Sequence, residues 1–121
     1  MAVRELWRLF STPDRRALLP LSLEVMAASL LHPDRYGALM HDVVGGWTHL
    51  LTSVFCDLGM PEERARTEAT LLVDAAFGLL IAPLADGDWD RAGAAFHTLL
   101  DRLEPGWWST SPPQEAGPGI P

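Results

Sequence analysis

Apolar residues recur at helical spacing along this chain from Val3 to Leu103, and no stretch shows the strict alternation of a half-buried strand. Val3, Leu6, Trp7 and Phe10 share one side of a short first helix, Ala2 to Phe10, which stops at Ser11. Thr12 then stands as an N-cap before Pro13, whose fixed φ suits a first helical position, and the helix it opens runs to about Leu31. Pro20 inside that run removes a backbone donor, which predicts a kink or a break into two pieces. His32 precedes Pro33 and is pushed toward extended backbone, so it marks a joint. The next helix carries Tyr36, Met40, Val43, Trp47, Leu50, Val54 and Leu58 on one side, ends at Gly59, and gives way to a restart at Pro61.

The segment from Pro61 to Leu84 is apolar on more than one face. Ala65, Ala69, Leu72, Ala76 and Leu80 form one stripe, while Thr70, Asp74, Phe77, Gly78 and Ile81 lie roughly opposite. A small domain has one core to offer, so a two-faced helix predicts that the second face meets another subunit or encloses a ligand. That helix ends near Pro83 to Gly87. Asp88 caps the last one, in which Trp89, Ala92, Ala95, Phe96, Leu99, Leu100 and Leu103 repeat at helical spacing. The pattern predicts an all-α bundle of five to six helices over residues 1–104. Residues 105–121 hold five Pro and three Gly and are expected to be a disordered tail, with Trp107 and Trp108 available to pack back on the last helix.

Length and charge narrow the function classes. At 121 residues the chain is one domain, and its net charge of −7 is the wrong sign for a principal partner that is nucleic acid or an anionic membrane. The N-terminal segment opposes that trend: residues 1–16 carry four Arg against one Glu and one Asp, a net of +2, which leaves −9 elsewhere. The single cysteine, Cys56, has no internal disulfide partner, which fits a reducing compartment and makes cytoplasm the expected location. Arg15-Arg16 followed by an apolar run resembles an export signal superficially, but Glu24 falls in the middle of the run. No membrane partner is expected, because Asp74 interrupts the best candidate span.

Reactive residues are sparse. His32, His41, His49 and His97 include no pair three or four apart on one helix, so no metal site is expected. Cys56 lies among Val54, Phe55 and Leu58, the setting of a small buried thiol rather than a nucleophile. No cofactor motif appears and the chain does not read as an enzyme. Asp74 within LLVDAAFGLLI is costly if buried alone, so it is either a seam residue or a polar anchor in a cavity. Asp42, Gly45, Gly46, His49, Ser53 and Cys56 make a small and polar stripe along one helix, compatible with close helix approach, a bend, or a ligand against exposed backbone. Trp7, Met26, Met40, Trp47, Phe55 and Phe77 are natural walls for an apolar pocket, and would equally well fill a core.

The order of elements resembles a known family. LSLEVMAASLLHPDRYGALM, then W-x-x-L-L at Trp47, then LGMPEERARTEATLLVDAAFGLLI and a closing helix are similar to the C-terminal regulatory domain of tetracycline-repressor-like (TetR) transcription regulators. The resemblance covers residues 3 to 103 and rests on Glu24 within an apolar helix, the Gly59-Pro61-Ala65-Ala69 joint and the Gly78-Leu79 pair. It implies an all-helical domain that binds a small apolar effector and forms a homodimer through its last two helices, here Arg64 to Leu80 and Trp89 to Leu103. Small residues Ala69, Ala76 and Ala92 would allow close approach beside Leu72, Phe77, Phe96 and Leu99, with Met26, Met40, Trp47, Phe55, Trp7, Phe77 and Asp74 as the ligand set. Family members carry a helix-turn-helix ahead of this domain, and the resemblance begins past that unit. It therefore implies effector sensing and dimerisation, with DNA reached only through an N-terminal domain that this sequence lacks. The alternative is an interaction protein that forms heterodimers with a full-length regulator.

Overall fold

The computed structural model describes residues 2–108. Six helices follow one another: α1 (Ala2–Phe10), α2 (Pro13–Arg16), α3 (Leu19–Leu31), α4 (Pro33–Asp57), α5 (Glu62–Asp86) and α6 (Trp89–Trp107). No strand occurs among the described residues, so the chain is an all-α bundle. The break expected at Pro20 falls just before it, and Pro20 sits in the first turn of α3, where its missing N–H costs nothing. Thr12 takes the extended N-cap backbone, yet its hydroxyl donates back to the Leu9 carbonyl at 2.9 Å rather than accepting from α2.

The other ends follow their local chemistry. Gly59 at φ +98° closes α4 with two bonds, Gly59 N–H to the Cys56 carbonyl and Met60 N–H to the Phe55 carbonyl, a Schellman arrangement that also drives Met60 into the core. Gly87 at φ +73° closes α5, and the Asp88 carboxylate accepts from Arg91 N–H at 3.0 Å to open α6. Pro83 lies within the last turn of α5 and is fully buried.

The core joins both ends of the chain. Val3 and Trp7 of α1 meet Leu51 and Phe55 of α4, Ala65, Ala69 and Leu72 of α5, and Ala92, Phe96, Leu100 and Trp107 of α6. Trp7 stacks on Phe96 with ring centroids 4.4 Å apart, and Arg4 beside it reaches His97 Nδ1, Asp101 and Glu104 on α6. A second strap is the Arg16 guanidinium over the Trp89 ring at 4.7 Å. Helix α6 continues past Glu104 through Pro105 to Trp107, so the ordered unit extends beyond the expected boundary at residue 104. Trp107 packs on Phe55 and donates through Nε1 to Glu68 at 3.0 Å, whereas Trp108 is exposed. The remainder of the expected tail, 109–121, lies outside the described residues.

Helices α3 and α4 are less covered. Leu30 and Leu31 are 79% and 77% exposed, and along α4 Leu39, Val43, Trp47, Leu50 and Leu58 form an exposed apolar row. The side of α4 read from the sequence as its apolar face is thus largely outward, while Leu51 and Phe55 turn in. Glu24, within the apolar run of α3, is exposed. At Gly46, mid-helix, a Cβ would meet nothing within 4 Å. Gly46→Ala is therefore expected to raise the unfolding free energy by about 0.5–1 kcal/mol in urea titration, the ordinary gain of Ala over Gly in a helix.

Candidate functional site

Two surface features could carry a function, a groove between α4 and α5 and the outer face of α5. The first is an open groove of about 780 Å³ between the polar side of α4 and the first turns of α5. Its floor is Gly45, where an added Cβ would stand in open space. Met40, Val44 and Cys56 supply apolar wall, and the hydroxyls of Thr48, one turn on Thr52, and its neighbour Ser53 also line it. Each of these hydroxyls donates to its own helix, Thr48 to the Val44 carbonyl at 3.0 Å, Thr52 to Thr48 at 2.7 Å and Ser53 to His49 at 3.1 Å. That back-bonding is the usual fate of hydroxyls inside a helix. His41, His49, Asp57, Glu62 and Arg66 complete the rim, and Arg66 pairs with Glu62 at 3.2 Å. A shallower depression shares Arg66 and runs on along α5 past Thr70 and Leu71 to Asp74.

The groove was partly legible as the stripe of Gly45, His49, Ser53 and Cys56. Thr48 and Thr52 were missed because they lie on the neighbouring strip of the helix surface. Glu62 and Arg66 come from a different helix, and nothing in their spacing announces the encounter. No group of three or more His, Cys, Asp or Glu poised to hold a metal ion occurs among the described residues.

The second feature is the outer face of α5. Its inner stripe, Ala65, Ala69 and Leu72, is in the core, but Leu71, Asp74, Gly78 and Ile81 point away from the bundle and are exposed. Although Asp74 stands within it, this helix is by length and composition apolar enough to cross a membrane, and most of its apolar stretch is not buried in the bundle. The Asp74 carboxylate avoids a desolvation penalty simply because it faces solvent.

The residues expected to line one ligand cavity are dispersed. Trp7 and Phe55 are buried core members in separate aromatic pairs, with Phe96 and Trp107 respectively. Met40 lines the groove and Asp74 the shallow depression. Trp47 sits on the exposed row of α4 with Phe10 edge-on at 5.2 Å, and Met26 and Phe77 are half-buried outside the groove lining. The dimer set divides in the same way. Ala69, Leu72, Ala92 and Phe96 are enclosed in the protomer's own core and present no surface to a second chain in this conformation. Ala76, Phe77 and Leu99 are half-buried at its edge. The small residues that promise close helix approach achieve it within one protomer. No protein family, curated protein or solved structure matches the chain.

Proposed function

We propose that this chain is the effector-binding and dimerisation domain of a transcription regulator of the TetR-like kind, taking a small, largely apolar ligand. The observation that supports it most is the two-faced α5, whose inner stripe fills the core while Leu71, Gly78 and Ile81 stay exposed. A second copy presenting the same face is the simplest cover, because an isologous contact needs only one self-complementary patch. Gly78, where a Cβ would meet nothing within 4 Å, leaves room for close approach. The effector site in this reading is the α4–α5 groove, since Trp7 and Phe55 are spent on the core while Trp47 and Phe77 lie apart from one another outside the groove. Operator binding is not assigned to this chain, whose charge of −7 opposes phosphate.

Sedimentation equilibrium at micromolar concentration tests the dimer. The wild type is expected to be dimeric, and Leu71→Glu or Ile81→Glu is expected to yield a folded monomer, because both side chains lie outside the core. Ala76→Glu is a poorer probe, since Ala76 packs against the core and the charge would damage the fold as well. A monomeric wild type defeats the homodimer. Recovery of association only on adding a longer regulator would instead favour the heterodimer reading.

A further inference from the structure

We infer that the α4–α5 groove selects a lipophilic amine, a ligand with an apolar body and a protonated nitrogen. This inference rests on the effector-binding reading above and specifies its ligand class. It comes from a donor and acceptor count on the groove wall. A hydroxyl has one proton, and those of Thr48, Thr52 and Ser53 are already given to the carbonyls of Val44, Thr48 and His49. What remains for a ligand is oxygen lone pairs. Asp57 and Glu62 add carboxylates, which only accept. Arg66 is the one guanidinium among the described lining residues; its pairing with Glu62 at 3.2 Å offsets one carboxylate charge against its own and leaves Asp57 as the surplus. His41 and His49 complete the lining, and an imidazole nitrogen donates or accepts according to its tautomer.

An anionic ligand would meet lone pairs, the surplus Asp57 carboxylate and a guanidinium already paired with Glu62. An ammonium group, with protons and no lone pair to repel, finds acceptors throughout. The acidic and Arg side chains on the lining are two carboxylates against one guanidinium, a formal −1, and the chain's formal −7 gives the wider field the same sign. Met40 and Val44 supply wall for an apolar body. Gly45 lets a flat ring lie against the helix backbone where any side chain would hold it off.

Three naphthalene derivatives of similar size separate the possibilities: naphthylmethylamine, naphthylmethanol and naphthoate, titrated into the full chain at neutral pH with backbone amide NMR as the readout. The amine is expected to bind about tenfold more tightly than the alcohol, with shifts centred on Gly45, Thr48 and Thr52, and naphthoate is expected not to saturate. Glu62→Gln should weaken the amine by about three- to tenfold and the alcohol by less than about twofold, Thr52→Val should weaken both, and added salt should weaken the amine alone. Because Glu62 is exposed at the start of α5, the Gln variant keeps the fold even where Thr52→Val does not. Equal binding of amine and alcohol in the groove overturns the amine assignment and leaves the effector-binding reading standing. Saturation by none of the three, or shifts confined elsewhere, overturns both, with the oligomeric state from sedimentation unaffected.

Discussion

Trp107→Ala is expected to lower the unfolding free energy by about 3–5 kcal/mol, a large share of the roughly 5–15 kcal/mol such a domain has, while Trp108→Ala changes it by less than about 0.5 kcal/mol. The two residues are adjacent in sequence and identical in chemistry, so the contrast isolates burial. Trp107 is 5% exposed and Trp108 55%. Trp107 tilts against Phe55 at 4.8 Å, itself fully enclosed, and its Nε1 proton is satisfied by Glu68 on α5. Removing the ring leaves a cavity beside Phe55 and strips the half-buried Glu68 carboxylate of its donor, two costs that add. Urea titration followed by circular dichroism gives both values. Equal losses at the two positions would mean that the last turn of α6 is not docked in solution.

Helix ends were legible because their causes are local. Gly59 and Gly87 stop helices by adopting left-handed backbone, Asp88 caps through one carboxylate, and Pro33 breaks the chain before it, all within a few residues. Pro105 misled the reading for the complementary reason. Proline and glycine enrichment signals weak local order, but the burial of Trp107 is a tertiary gain large enough to carry the helix through Pro105. The inward face of α4 was not legible either. Its apolar residues occupy two adjoining sides, the row through Val43, Trp47 and Leu50 and the pair Leu51 and Phe55. Only contact with α5 and α6 decides that the pair goes in. In the same way Ala69 and Ala92 were read as a seam between subunits, when periodicity states only that a helix approaches closely and not whose helix it is. The groove inherits this limit. Its α4 wall is a stripe in one helix, and its acidic rim at Glu62 comes from another.

Trp7→Ala should cost about 3–5 kcal/mol, and Phe96→Ala a similar amount, with a double variant less destabilised than the sum by about 0.5–1.5 kcal/mol. The coupling arises because the rings stack at 4.4 Å and 11°, so the second deletion removes a partner already lost. Trp7 is also the main apolar anchor of α1, and Gly93 of α6 lies close enough that an added Cβ would touch its Nε1 at 3.6 Å. Val3 adds a smaller apolar contribution to the same core, and the polar ties from Arg4 to His97, Asp101 and Glu104 are mostly at exposed positions where such pairs contribute little. Helix α1 is nine residues long and too short to persist alone, so losing Trp7 releases it as well as opening a cavity. The expected signature in urea titration is a lowered midpoint together with a reduced m-value, since the native state of the variant already exposes α1. A Trp7→Ala variant that keeps wild-type stability would show that α1 is not part of the cooperative bundle, and would return Trp7 to the role of a ligand-facing side chain.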